Sequence, residues 1–309
     1  MWYNKRSQRL FLSDDIDRNG FQIHGDEFFL EYLDESGTQK GGNSSVFRAQ
    51  HPDGGETYVV KFFRYTRENN LDFVQRRLQR FERELQALSV AQKSRYRDCV
   101  IPLVDHGVFP VLIDGARNTL RYFVMEDADS DLSRYICDNE LSSQQKLLLC
   151  SELLRILRGL HQLEIYHRDI KPDNILMLGG RPVFGDLGLI NYRQQDSDVD
   201  EFDEKVGPLG FLSPEATNKC LGARSKGTFT FDCWIDDKSD VFQLGQVFWF
   251  ILQDEVPVGY LDDEDLKFPI ADLLAEIIRP MLQYNKQRRA SCEFVDTAFQ
   301  PILREAALI

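Results

Sequence analysis

Over the first third of the chain, apolar residues come in short runs broken by glycine, proline and acidic turns. Phe28–Leu33 is apolar and aromatic. Val46–Ala49 and Thr57–Phe63 bracket Pro52-Asp53-Gly54-Gly55, which reads as a hairpin. Further strands are predicted at Val100–Val104 and Leu120–Met125. One helix interrupts them over 69–90, where Leu71, Val74, Leu78, Phe81, Leu85 and Leu88 recur at alternating spacings of three and four. After Glu126 the period changes. Ser142 or Ser143 caps a helix carrying Leu147, Leu148, Leu153, Leu154, Ile156, Leu157 and Leu160. Helices are also predicted at Val241–Leu252, Ala271–Leu282 and Ser291–Leu303. Two short strands, Ile175–Leu178 and Pro182–Phe184, are joined by Gly179-Gly180.

This pattern predicts an α+β protein of two lobes, joined at Glu126-Asp127-Ala128. Residues 28–126 form a small antiparallel sheet with one main helix, and residues 127–309 form a larger, mostly helical lobe. Residues 1–27 are an extension whose aromatics, Trp2, Tyr3, Phe11 and Phe21, imply that it packs on the domain.

Composition narrows the classes. A chain of 309 residues, 42% hydrophobic and 12% aromatic, has ample apolar material for one large core or two lobes. A net charge of −13 repels DNA and anionic lipid and attracts basic peptides or basic partner surfaces. The six cysteines are scattered without a C-x-x-C pair, which favours reduced thiols in a cytoplasmic protein over a disulfide framework or a zinc site. The five histidines show no metal-ligand spacing. No apolar run reaches the roughly 18 residues of a membrane span. Val241–Leu252, interrupted by Gln243, Gly245 and Gln246, reads as a buried core helix, and the N-terminus lacks the apolar stretch of a secretory signal.

The candidate chemistry lies in His167-Arg168-Asp169-Ile170-Lys171-Pro172-Asp173-Asn174, followed a hairpin later by Asp186-Leu187-Gly188. A carboxylate, a lysine and an amide share one tight loop, and a second aspartate returns near it. In-line phosphoryl transfer needs such a set: a carboxylate to orient the attacking hydroxyl, a cation near the moving charge, and an amide oxygen and a carboxylate for metal ions. Gly41-Gly42-Asn43-Ser44-Ser45-Val46 lies between predicted strands. Its small residues would let backbone N–H groups approach phosphates; taken alone they suit an ordinary hairpin turn better, and their position before Lys61 favours the phosphate reading. Lys61, on the apolar strand Tyr58-Val59-Val60-Lys61, needs an anionic partner. Glu82 and Glu84 flank opposite sides of the helical stripe by similar angles, so periodicity does not choose between them.

The string H-R-D-x-K-x-x-N resembles the catalytic loop of protein kinases. Asp186-Leu187-Gly188 stands where that family carries D-F-G. Tyr58–Lys61 is similar to its V-A-I-K strand, and Arg80-Phe81-Glu82-Arg83-Glu84-Leu85 to its R-F-x-x-E helix, which favours Glu84. Ser213-Pro214-Glu215 matches A-P-E, and Asp240 begins the D-x-x-x-x-G helix. The likeness spans roughly residues 28–305, in order, and implies a bilobal Hanks-type Ser/Thr protein kinase. The loop Gly207–Glu215 has a bacterial flavour.

The resemblance implies ATP with Mg²⁺ or Mn²⁺ as cofactors and a protein substrate, including the chain itself. Asp169 would be the base, with Arg168 and Lys171 beside it, and Asn174 and Asp186 would hold metal. Lys61 and Glu84 would position phosphates beneath a loop containing Gly41, Gly42 and Ser44. Val46, Val59 and Leu176 would sandwich the adenine, Met125 would guard its back, and the backbone of Glu126 to Ala128 would bind it. Asp131 would contact the ribose or a basic substrate residue, or cap the next helix. Glu215 would pair with Arg289, and Asp240 would anchor the catalytic loop. Gly185 would give backbone freedom before Asp186.

Two departures stand out. Pro208 replaces the threonine of the family's G-T-x-x-Y. The segment 186–215 contains no threonine, only Tyr192, Ser197 and Ser213 as phosphoacceptors. Its acidic run, Asp196-Ser197-Asp198-Val199-Asp200-Glu201-Phe202-Asp203-Glu204, is either a solvated loop or a stand-in for phosphate against Arg168. Two other functions fit less of the pattern: a pseudokinase scaffold and a small-molecule phosphotransferase.

Overall fold

The computed structural model describes residues 1–4, 9–33, 44–63, 71–113, 116–193, 199–200, 204–222, 231–257, 259, 261–268 and 274–306. The chain forms two compact units, residues 1–92 with 101–127, and residues 93–100 with 128–309.

The first unit is built on an antiparallel six-stranded sheet. Its strands are β3 (Gly20–Ile23), β4 (Asp26–Glu31), β5 (Ser44–Gln50), β6 (Thr57–Phe63), β7 (Leu103–Ile113) and β8 (Ala116–Glu126), in the order β3-β4-β5-β6-β8-β7. Before it, β1 (Trp2–Asn4) and β2 (Arg9–Phe11) make a separate antiparallel pair. Strand β6, Thr-Tyr-Val-Val-Lys-Phe-Phe, is apolar at both odd and even positions, so both of its faces need cover. Residues 9–23 supply one cover. Leu10, Leu12, Phe21 and Ile23 join Phe47, Val60, Phe62 and Val124 in one buried cluster. Phe21 packs edge-on against Phe62 and Tyr122, with centroids 5.7 and 4.9 Å apart.

Helix α1 (Leu71–Gln92) belongs to the other face, where Phe81 meets Phe63 at 5.7 Å and Phe123 at 5.0 Å. The buried face of α1 runs through Phe81, Glu84, Leu88 and Ala91. It is rotated from the predicted stripe towards the small residues Ala87 and Ala91, which places Glu84 inside it.

Two expectations are corrected here. The strand predicted at Val100–Val104 starts later; Val100 makes an isolated bridge to Phe184, and β7 begins at Leu103 and runs on to Ile113. Pro110 lies within β7, which is the sheet edge, where a missing N–H is tolerated. The apolar strand at Phe28–Leu33 is shifted to Asp26–Glu31.

The second unit is helical around a small sheet, β12-β11-β9, of Arg181–Phe184, Ile175–Leu178 and Ser130–Asp131. A further short pair joins β10 (Ile165–Tyr166) to β13 (Asn191–Tyr192). Helix α2 spans Leu132–Asp138. Helix α3 (Ser143–Gln162) starts with a capping box between Ser142 and Gln145. It packs on α5 (Asp237–Gln253) and α7 (Cys292–Glu305). Val241–Trp249 of α5 is buried throughout, as its apolar run predicts, and Phe248 stacks on Phe299. Helix α4 covers Pro214–Gly222.

The predicted helix Ala271–Leu282 is helical over its described residues, Leu274–Met281, but changes type along the way. Residues 271–273 lie outside the described set, Leu274–Ile278 form a π-turn, and only Arg279–Met281, α6, is α-helical. Pro280 has no N–H to give the carbonyl of residue 276, which explains the widened turn. Among the described residues no helix is long and apolar enough to cross a membrane.

Candidate active site

Residues directly opposite in a ladder share a face of the sheet. Val46 is opposite Lys61, Arg48 opposite Val59, Val59 opposite Met125 and Lys61 opposite Phe123. Val46, Val59, Lys61 and Met125 therefore lie on one face, opposite the aromatic cluster. Lys61 is buried, with Nζ 2.7 and 2.9 Å from the two oxygens of Glu84 and 5.8 Å above the Phe123 ring. Glu82 instead pairs with Arg121 at 2.6 Å in an exposed position. The choice that periodicity left open is made by burial: Glu84 can satisfy a lysine shut away from water. Ser44 is the buried first residue of β5, while Gly41 and Gly42 lie outside the described residues. Glu126 donates its N–H to the Pro102 carbonyl at 3.1 Å. Asp127 accepts from Arg48 at 2.6 Å.

In the second unit, the loop 167–174 hangs from α5. Asp240, fully buried, accepts the N–H of His167 at 2.8 Å and of Arg168 at 2.7 Å. Gln243 accepts from Ile170 N–H at 3.0 Å and donates to the Arg168 carbonyl at 3.2 Å. Arg168 is held at φ 68°, a left-handed conformation uncommon outside glycine. The loop backbone is thus fixed by two buried side chains. The sequence reading named Asp240 from resemblance but took Gln243 as a mere interruption. A polar residue inside an apolar helix needs a partner, and that was the available signal.

Asp169 is 9% exposed, and its Oδ2 accepts the Asn174 amide at 2.6 Å. Burial raises its pKa and the Asp186 carboxylate adds to this, against the lowering pull of Lys171, His167 and the Asn174 bond. His167 is wholly buried, which lowers its pKa, and its ring packs on Phe184 at 4.8 Å. Asn174 spends its nitrogen on Asp169 and so keeps its carbonyl oxygen as a donor. Asp186, exposed at φ 38°, offers a carboxylate. An amide oxygen and a carboxylate are hard donors that suit Mg²⁺ or Mn²⁺.

Lys171 Nζ stands 3.9 Å from Asp173. A pocket of about 610 Å³ beside Asp169 is walled by Lys171, Lys205, Pro208, Leu209 and Phe211. Leu176 is half-buried opposite Asp131 in the small sheet. Asp131 accepts from Arg134 N–H at 2.8 Å and so caps α2, the helix-capping alternative. Ala128 is half-buried. Gly185 does not have the positive φ that backbone freedom would need. It is required for space, because a Cβ there would come 2.6 Å from Leu176 Cδ1.

The segment after Asp186 is tied in at two points. Glu215 and Arg289, both 2% exposed, form two bonds at 2.8 and 3.1 Å, and Arg289 lies over the Phe242 ring. Ser213 is fully buried, and its Oγ accepts the Ala216 N–H.

A catalytic-loop motif pinned by α5, a buried strand lysine on a helix glutamate and a locked S-P-E segment together define a phosphotransferase class. Residues 36–299 match the protein kinase domain, and the chain belongs to the protein kinase family. It is 22% identical over 222 residues to the dual specificity protein kinase TTK of Mus musculus, covering 72% of this chain and 24% of that protein. It is 26% identical over 222 residues to the serine/threonine-protein kinase PrkC of Bacillus subtilis, covering 70% and 29%. It is 27% identical over 223 residues to the interferon-induced, double-stranded RNA-activated protein kinase of Mus musculus, covering 69% and 40%. The chain thus spans well under half the length of these relatives.

Proposed function

We propose that the chain transfers the γ-phosphoryl group of ATP to serine or threonine hydroxyls of a protein substrate, itself included. The observation that carries this reading is Asp169, a buried carboxylate held by Asn174 on a loop suspended from Asp240 and Gln243. Asp169 orients the attacking hydroxyl and takes its proton, and Lys171 offsets the charge on the moving group. Lys61, fixed by Glu84, holds the α/β-phosphates. Val46, Val59, Met125 and Leu176 contact the adenine, and the backbone of residues 126–128 hydrogen-bonds it. Ser44, with Gly41 and Gly42, lies over the phosphates. Asn174 and Asp186 hold Mg²⁺ or Mn²⁺, which neutralises phosphate charge when bound.

The net charge of −13 favours a basic substrate. Names of relatives include both Ser/Thr and dual-specificity kinases; Lys171 favours the Ser/Thr reading. The test is incorporation of labelled phosphate into a basic test protein, followed by phosphoamino-acid analysis. Asp169→Asn is expected to lower turnover about 10²–10⁴-fold, and Lys61→Ala to abolish detectable labelling. Phosphotyrosine as the main product, or labelling that survives both substitutions, would overturn the proposal.

A further inference from the structure

Asp200 comes from the acidic run, yet its side chain is 3% exposed. It pairs with Arg168, whose side chain is 2% exposed, and with Lys219 of α4 at 3.3 Å, 7% exposed. One carboxylate thus joins three parts of the second unit: the residue next to Asp169, the segment after β13 and the helix that follows S-P-E. Charges enter such a dry place only when partnered, and removing one partner strands the others. The solvated-loop reading of the run therefore fails at Asp200.

The pair bears directly on the catalytic loop. Arg168 is bound at its backbone by Asp240 and Gln243 and at its side chain by Asp200, and it is the residue next to Asp169. Gly207 packs against the same residue, since a Cβ there would come 3.2 Å from the Arg168 carbonyl. Of the segment's hydroxyls, Ser213 is buried and caps α4. A carboxylate is built into the chain, whereas a phosphate must be added.

Building on the kinase reading, we infer that Asp200 is a positioning residue whose fixed charge holds Arg168, and through it Asp169, ready for transfer without phosphorylation of residues 186–215. A phosphate on this segment would have to displace Asp200 from its two cations before it could take over that task.

The experiment compares protein made with a co-expressed phosphatase, shown by intact mass to carry no phosphate, with the same protein preincubated with ATP and Mg²⁺. Initial rates on a basic test protein are expected to agree within about twofold. Asp200→Asn, nearly the same shape without the charge, is expected to lower kcat by about tenfold or more while the KM for ATP moves less than about threefold. Asp200→Glu restores much of the loss, and Ser197→Ala leaves the rate unchanged. A phosphate-free protein that is inactive until preincubated, or an Asp200→Asn protein with unaltered kcat, overturns the inference. If Asp200→Asn does not fold, the phosphate-free wild type alone decides. Inactivity of both wild-type preparations would instead sink the kinase reading itself.

Discussion

Asp169 has to be ionised to accept a proton, and its surroundings resist that. Its pKa is raised by burial first, so the carboxylate protonates at a higher pH than an exposed one. The rate that needs the charged form is lost as pH falls through that raised value. The acid limb of the kcat/KM profile is therefore expected above the ordinary aspartate range. Lys171 opposes the rise, so Lys171→Met should move the limb to still higher pH besides lowering the rate, as pH–rate profiles would show. Gly185→Ala is expected to cost about 1–3 kcal/mol, read by urea denaturation, because Leu176 stands where the methyl would go. At this scale the sequence was unevenly legible. Lys61 stands out because a charge on an apolar strand needs a partner, and Asp169 and Asn174 because a carboxylate, a lysine and an amide share one tight loop. The space constraint at Gly185 was invisible, because it comes from a side chain nine positions away.

Helix α5 shows how one element holds others. Asp240 bonds the catalytic loop and also His161 of α3, at 3.0 Å, while Cys292 of α7 lies 3.6 Å from the other ring nitrogen. Burial opposes charge on His161, but its bonds to Asp240 and Cys292 outweigh it and raise the pKa from 6.5 to about 10. A raised histidine contributes stability in full below its unfolded value and loses it as pH climbs towards the folded one. Stability should thus decline between about pH 6.5 and about pH 10, and His161→Gln should flatten that slope, which urea midpoints across the range would measure. On the far side of α5, Arg289→Met leaves Glu215 buried without its cation and is expected to cost about 3–5 kcal/mol by the same assay. The helices were legible through period and, at Ser142, through the cap. What the spacing did not show at this scale is the π-turn at Leu274–Ile278 ahead of Pro280 and the run of β7 on to Ile113.

For the molecule as a whole, an excess of thirteen negative charges should draw in basic substrates from a distance. The kcat/KM for a basic peptide is expected to fall several-fold as salt rises from about 0.05 M to about 0.5 M, and that for a neutral peptide to change much less. The family was readable because its motifs recur in order along most of the chain. The opening residues carried no such motif. Their aromatics pointed to packing, but which surface they cover depends on contacts far along the chain, such as Phe21 with Tyr122.

That cover has a practical consequence for anyone trimming the gene. The family match starts at residue 36, and a cut made there would strip away Leu10, Leu12, Phe21 and Ile23, leaving Phe47 and Phe62 bare and a neighbouring strand unzipped. Such a shortened product should precipitate or bind a hydrophobic dye when the intact chain does neither. Similarity tells where relatives can be aligned; it does not tell where this polypeptide can be severed.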